Sequence, residues 1–193
     1  PTPAPISGPA PTPAPISGPA PTPAPISGPA PLRVPSKLCR SNSDIWDAVR
    51  EWCSNSEVAE AKYGHISSWD VSAVTNMSDL FKDMKKFNQP IGDWNVSNVT
   101  NMDHMFCHAS VFNQPIGNWN VSNVTNMDHM FYEASVFNQP IGNWNVSNVT
   151  NMQCMLSYKH KGVFNQPIGN WNVSKVTDMG YMFCSASAFN QPI

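Results

Sequence analysis

Between Phe112 and Ala134 the apolar positions are Phe112, Ile116, Trp119, Val121, Val124, Met127, Met130, Phe131 and Ala134. The same pattern recurs along the chain. Trp69, Trp94, Trp119, Trp144 and Trp171 are 25, 25, 25 and 27 residues apart, and Phe87, Phe112, Phe137, Phe164 and Phe189 are 25, 25, 27 and 25 apart. A period in this range is the signature of a solenoid, in which single coils stack and share one core because none can bury its own apolar side. Within a unit, FNQPIGNW reads as short and extended, and Pro115 stops it from continuing as helix. TNMDHMFYEAS reads as about two turns of helix. Thr125 and Asp128 resemble a capping box, and Met127, Met130, Phe131 and Ala134 fall on one helical face. The predicted fold is an α+β solenoid with one short strand and one short helix per 25-residue coil. The two extra residues lie in SYKHKGVF, between Ser157 and Phe164, which reads as a surface loop.

Residues 36–66 predict a helical N-terminal cap that covers the exposed end of the first coil. Ser43 or Asp44 can start a helix over IWDAVREWCSN, with Ile45, Trp46, Val49 and Trp52 or Cys53 on one face. A second helix, SEVAEAKYG, should stop at Gly64. Residues 67–193 are the repeat solenoid, which breaks off partway into another copy and reads as a piece of something longer. Residues 1–35 are different in kind. PTPAPISGPA occurs three times without a mismatch, and a segment so rich in proline predicts a polyproline II arm. Its Thr2, Ser7, Thr12, Ser17, Thr22 and Ser27 are candidates for O-glycosylation.

Charge narrows the function. Only 12% of residues are charged and the net charge is −2, with no basic run, which argues against a nucleic-acid partner. No apolar run approaches the ~20 residues that span a bilayer, so no membrane insertion is expected in this segment. Five cysteines leave at least one without an internal partner; Cys39–Cys53 and Cys154–Cys184 are the candidate disulfides. His104, Cys107 and His108 could share a helix face, with His129 and Cys154 in the His104 column, but the variation between coils reads as surface drift. Asp103–His104 and Asp128–His129 are neighbours that would not face one another on a helix. No nucleophile sits beside a base and no glycine loop cradles phosphate. The expectation is a non-enzymatic protein with no catalytic, cofactor-binding or metal residues.

The segment YGHISSWDVSAVTNMSDLF and the WNVSNVTNMDHMF units after it resemble the BspA-like leucine-rich-repeat surface proteins, whose repeat also occurs in mycoplasma surface lipoproteins and in proteins of microbial eukaryotes. The resemblance implies a right-handed leucine-rich-repeat-type fold, an extracellular or cell-surface location, and adhesion or surface display without catalysis. The proline decamers lie outside it and look more like the hydroxyproline-rich cell-wall glycoproteins of algae and plants.

Asparagine is abundant, and the sequon N-x-S/T falls at Asn95, Asn120, Asn145 and Asn172, at Asn98, Asn123 and Asn148, and at Asn76. Stacked coils also place identical asparagines above one another, where they satisfy turn backbone. The first column has Asp70 in the first coil and therefore reads as structural. The second has Ala73 and Lys175 at its ends, so it reads as exposed, without a required bond, and better suited to carry sugar. A proline arm, an open repeat end and sequon-rich coils together predict a glycosylated extracellular fibre or matrix subunit that partners with copies of itself. The other reading is an adhesin whose solenoid binds a surface protein or glycan.

Overall fold

The computed structural model describes Gly8 and residues 38–193. The polyproline arm and its six O-glycosylation candidates lie outside the described residues. The chain divides into two units, Pro1–Arg33 and Val34–Ile193, and every described helix and strand belongs to the second.

Its elements are strand β1 (Cys39–Ser41), helix α1 (Ile45–Ser54), helix α2 (Ser56–Tyr63), a single 3-10 turn (Ile66–Ser68) and strand β2 (Asp70–Ala73). β1 and β2 pair in parallel, with Cys39 opposite Asp70 and Ser41 opposite Ala73. α1 buries Ile45, Ala48, Val49 and Trp52, the spacing of one helical face. Trp46 is only half-buried, and its indole N–H donates to the Ser78 carbonyl at 2.9 Å; Cys53 is exposed. Asp44 stands at the start of α1, but its carboxylate turns back to accept from the Ser41 N–H (2.8 Å) and from Arg40 (2.6 Å). α2 is capped by Asn55, whose side chain accepts from the Val58 N–H, and stops at Gly64, where φ is 77°. The cap also offers the first coil a substitute for a preceding one: Asn42 accepts from the Thr75 and Asn76 N–H groups and donates to Thr75 Oγ1.

After Ala73 no described residue lies in a helix or a strand. The coils are built of turns, and parallel bridges run Asn76–Asn101–Asn126–Asn151–Asp178. The helix expected over TNMDHMFYEAS is absent, for a reason visible in its hydrogen bonds. The N–H groups of Met102, His104, Phe106 and His108 donate to Asn126, Asp128, Met130 and Tyr132 of the next coil, at 2.8–2.9 Å. The alternate N–H groups of Met105, Cys107 and Ala109 close turns onto carbonyls three residues back. His104 and His108 have φ of 53° and 60°, the left-handed conformation that a right-handed helix cannot contain. Next-coil partners thus take every second N–H that a helix would use within itself. The apolar spacing survives this, because turns three residues apart also return Met127, Met130, Phe131 and Ala134 to the core, all fully buried. Thr125 and Asp128 do not cap. Thr125 Oγ1 donates to the Thr100 carbonyl and the Asp128 carboxylate meets His129.

The core is a set of columns. Phe87, Phe112, Phe137, Phe164 and Phe189 stack with ring centroids 6.0–6.2 Å apart. Four repeat tryptophans reach back one coil: the indoles of Trp94, Trp119, Trp144 and Trp171 donate to the carbonyls of Ile66, Ile91, Ile116 and Ile141 at 2.9–3.2 Å. Gly117 sits so close to the next coil that an added Cβ would lie 2.3 Å from the Pro140 carbonyl oxygen. The insertion is only partly a surface loop. Lys159, His160 and Lys161 are exposed, but Ser157 and Tyr158 are buried, and an added Cβ on Gly162 would lie 2.2 Å from the Tyr158 ring.

Two substitutions test this packing by urea unfolding. Gly117→Ala should cost about 1–3 kcal/mol, because backbone rather than a flexible side chain occupies the space. Trp119→Phe should cost about 1–3 kcal/mol, since it removes one of the two N–H donors to the Ile91 carbonyl and shrinks a buried ring. Asn118→Ala, at an exposed neighbour, should stay within about 0.5 kcal/mol of the parent.

Candidate functional site

The asparagines do three different jobs. In the bridge column, Oδ1 of Asn76, Asn101, Asn126 and Asn151 accepts from the N–H two residues on, at 2.9–3.0 Å, and Asp178 Oδ1 does the same for Gly180 at 2.8 Å. The job needs an oxygen, which is why aspartate replaces asparagine there without loss. A second column was not singled out from the sequence. Oδ1 of Asn88, Asn113, Asn138 and Asn165 accepts from the backbone N–H of the asparagine one coil on, at 2.9–3.0 Å. Gln114, Gln139, Gln166 and Gln191 donate Nε2 to the same oxygens. The repeated FNQ was the available signal.

The third job concerns the sequons, where one column is bonded although no required bond was expected of it. Asn98, Asn123 and Asn148, read from the sequence as making no required bond, donate Nδ2 to the carbonyls of Ser72, Ser97 and Ser122 at 2.7–2.8 Å. Lys175 at the end of that column keeps a comparable contact by donating to Asn148 Oδ1. Ala73, in the first coil, lies in β2 and needs no such donor. Asn95, Asn120, Asn145 and Asn172 are exposed, as Asn98 and Asn123 also are, but they use Oδ1 to accept from Ser97, Ser122, Ser147 and Ser174, each at 3.2 Å. Their bonds engage the oxygen, not the nitrogen that a glycan would modify. Beside them runs a row of exposed threonines, in which Thr100, Thr125, Thr150 and Thr177 donate Oγ1 to the preceding threonine's carbonyl.

The titratable cluster also differs from the helical expectation. His104, Cys107 and His108 do not share a face: Cys107 is buried and the histidines are half-buried. Asp103 and His104 do meet, with Oδ1 to Nδ1 at 2.5 Å, and so do Asp128 and His129 at 2.6 Å. The left-handed backbone at each histidine folds its ring back onto the preceding aspartate, which a helix could not do. The two imidazoles stack, with centroids 4.5 Å apart and planes within 5°.

Cys53, Cys107, Cys154 and Cys184 are free thiols, so neither candidate disulfide is formed. Register explains the second case. Cys154 falls in the column of Tyr181, and Cys184 in that of Ser157, so the two thiols are three residues out of alignment. Cys39 Sγ instead lies 3.7 Å from Asp70 Oδ2. Burial pushes the Cys107 thiol up to about 11 from its ordinary value of 9.0. A thiol raised in the folded state favours folding below its unfolded pKa, so its contribution should fade as pH rises from about 9 to about 11. In thiol-reagent kinetics near pH 8, exposed Cys184 should react rapidly and Cys107 only on unfolding; equal rates would contradict the burial of Cys107.

Among the described residues no helix is long and apolar enough to cross a membrane. No curated protein and no solved structure matches the chain. A family profile described as "Mycoplasma protein of unknown function, DUF285" matches residues 50–161 and again 124–193, which together take in about three quarters of the sequence. The second match begins inside the first, as expected where one repeat unit can be read against the profile in more than one register. On this coverage, the chain belongs to the Mycoplasma DUF285 family of proteins of unknown function.

Proposed function

We propose that this chain is a non-enzymatic structural subunit of a glycosylated extracellular fibre or matrix at a cell surface, with its coils forming a leucine-rich-repeat-like solenoid of the BspA type. The observation that carries this reading is the repetition of one set of coil-to-coil bonds from Asn76 to Asp178. A contact that adds one coil to the next inside a chain can also add a neighbouring chain. In the fibre the helical cap or the proline-rich arm of the next copy takes up this contact. Such a head-to-tail contact is heterologous and extends into filaments when it does not close. Glycans would solvate a surface with so few charges.

The exposed threonine row favours a second reading. Its regular hydroxyl and amide spacing suits an adhesin that lays a ligand along the stack.

Negative-stain microscopy and sedimentation of the full chain distinguish the two. The fibre reading predicts long particles whose length grows with concentration. Single compact particles at every concentration would instead support the adhesin. Glycopeptide mass spectrometry on native material should find sugar chiefly on Asn95, Asn120, Asn145 and Asn172, with Asn98, Asn123 and Asn148 largely bare. Bare peptides throughout would remove the glycosylated part of the proposal.

A further inference from the structure

Two adjacent coils bring together a set of groups that neither coil holds alone. A ligand atom from each of His104, Asp128 and His129 lies within 4.8 Å of the other two. All three side chains are half-buried rather than fully solvated. The hydrogen bonds settle which nitrogen is available. An imidazole nitrogen 2.5–2.6 Å from a carboxylate carries the proton and donates it, so Nδ1 is the N–H on both rings. That leaves Nε2 of His104, with Asp103 behind it, as the nitrogen open to a ligand. A carboxylate that orients a histidine through Nδ1–H and raises the basicity of Nε2 is the common support of metal-bound imidazole. This arrangement occurs twice, in register, on stacked rings.

The backbone does not require histidine here. The same left-handed position is filled by Asp79, Cys154 and Tyr181 in the other coils. Nor does the stack require the aspartates, since Ser78 and Gln153 take their place. Histidine and aspartate occur as a pair only in the two coils that touch.

We propose that His104, His129 and Asp128 bind a divalent transition-metal ion of the zinc class. The ligands are Nε2 of His104, a ring nitrogen of His129 and an Asp128 carboxylate oxygen that exchanges its bond to His129 for the ion, with solvent completing the sphere. Asp103 acts as the orienting partner of His104. Imidazole with one carboxylate suits zinc, copper or nickel and not magnesium or calcium. Ligand atoms around a tetrahedral zinc are about 3.3 Å apart, so the three groups close inward by rotating about their side-chain bonds. Since the site spans two coils, the ion fastens one to the other, and binding adds to the stability of the folded stack.

The test is calorimetric titration of the full chain with zinc near neutral pH, with cobalt as the absorbing probe and unfolding temperature as a second readout. One zinc per chain is expected, with a rise in unfolding temperature. His104→Asn combined with His129→Asn, which keeps residues tolerant of the left-handed backbone, should weaken binding by at least about tenfold and abolish the rise. Asp128→Asn, which keeps an acceptor oxygen for His129, should weaken it while leaving the zinc-free fold unchanged. Cys154→Ser should bind as the parent does. Unchanged affinity in the histidine and aspartate variants, loss of binding in Cys154→Ser, or no saturable binding to the parent at roughly millimolar zinc would each overturn the site.

Discussion

The structure depends on one constraint: every coil must satisfy its polar backbone through the coils on either side. In most small domains helices and sheets do this locally. Here the turns meet only half of the demand, and alternate N–H groups such as those of Met102, His104, Phe106 and His108 are met by the next coil. That requirement forces register. A slip by one residue would point every second donor at the wrong partner and move the buried column of Trp94, Trp119 and Trp144 off the carbonyls it bonds. It also explains why Gly117 cannot carry a side chain, because the coils approach through backbone at that point.

The same constraint accounts for an uncharged, asparagine-rich repeat. A short side chain that offers an acceptor oxygen and a donor nitrogen can close an Asx turn in its own coil, as Asn126 does, or reach into a neighbouring coil, as Asn113 and Asn123 do. Charged side chains in the same columns would stack like charge on like charge at one-coil spacing. Where an acid does enter, at Asp70 and Asp178, the position uses the side-chain oxygen as an acceptor. The left-handed turns impose a second selection. They are filled by aspartate and histidine in several coils, residue types that tolerate the conformation, and at His104 and His129 this brings two imidazoles into a stack.

Much of this was legible in the sequence, though not the conformation of the coil. The 25-residue period, the buried column residues, the helices of the cap and the stop at Gly64 all arise from spacing and composition. The segment from Thr125 to Ser135 was misread because turns closing three residues back and helical turns return apolar side chains at nearly the same interval. Met127, Met130 and Phe131 cannot distinguish them. Only the hydrogen bonds to the next coil do, and these are not local. The Asp–His contacts were missed for the same reason, since they exist only on a left-handed backbone. The bonds of Asn98, Asn123 and Asn148 were missed because tolerance of alanine at residue 73 was taken as freedom from bonding. Ala73 belongs to β2, where the cap supplies the neighbouring strand.

The register requirement is best tested by removing a coil. Deletion of residues 101–125 joins Thr100 to Asn126 and restores every column one coil shorter. Deletion of residues 101–124 removes one residue fewer and misaligns every later coil. The account predicts that the first variant unfolds cooperatively in urea, with a lower m-value than the parent because less surface is exposed. It predicts that the second loses its cooperative transition. Equal behaviour of the two deletions would contradict a fold held by in-register contacts between coils.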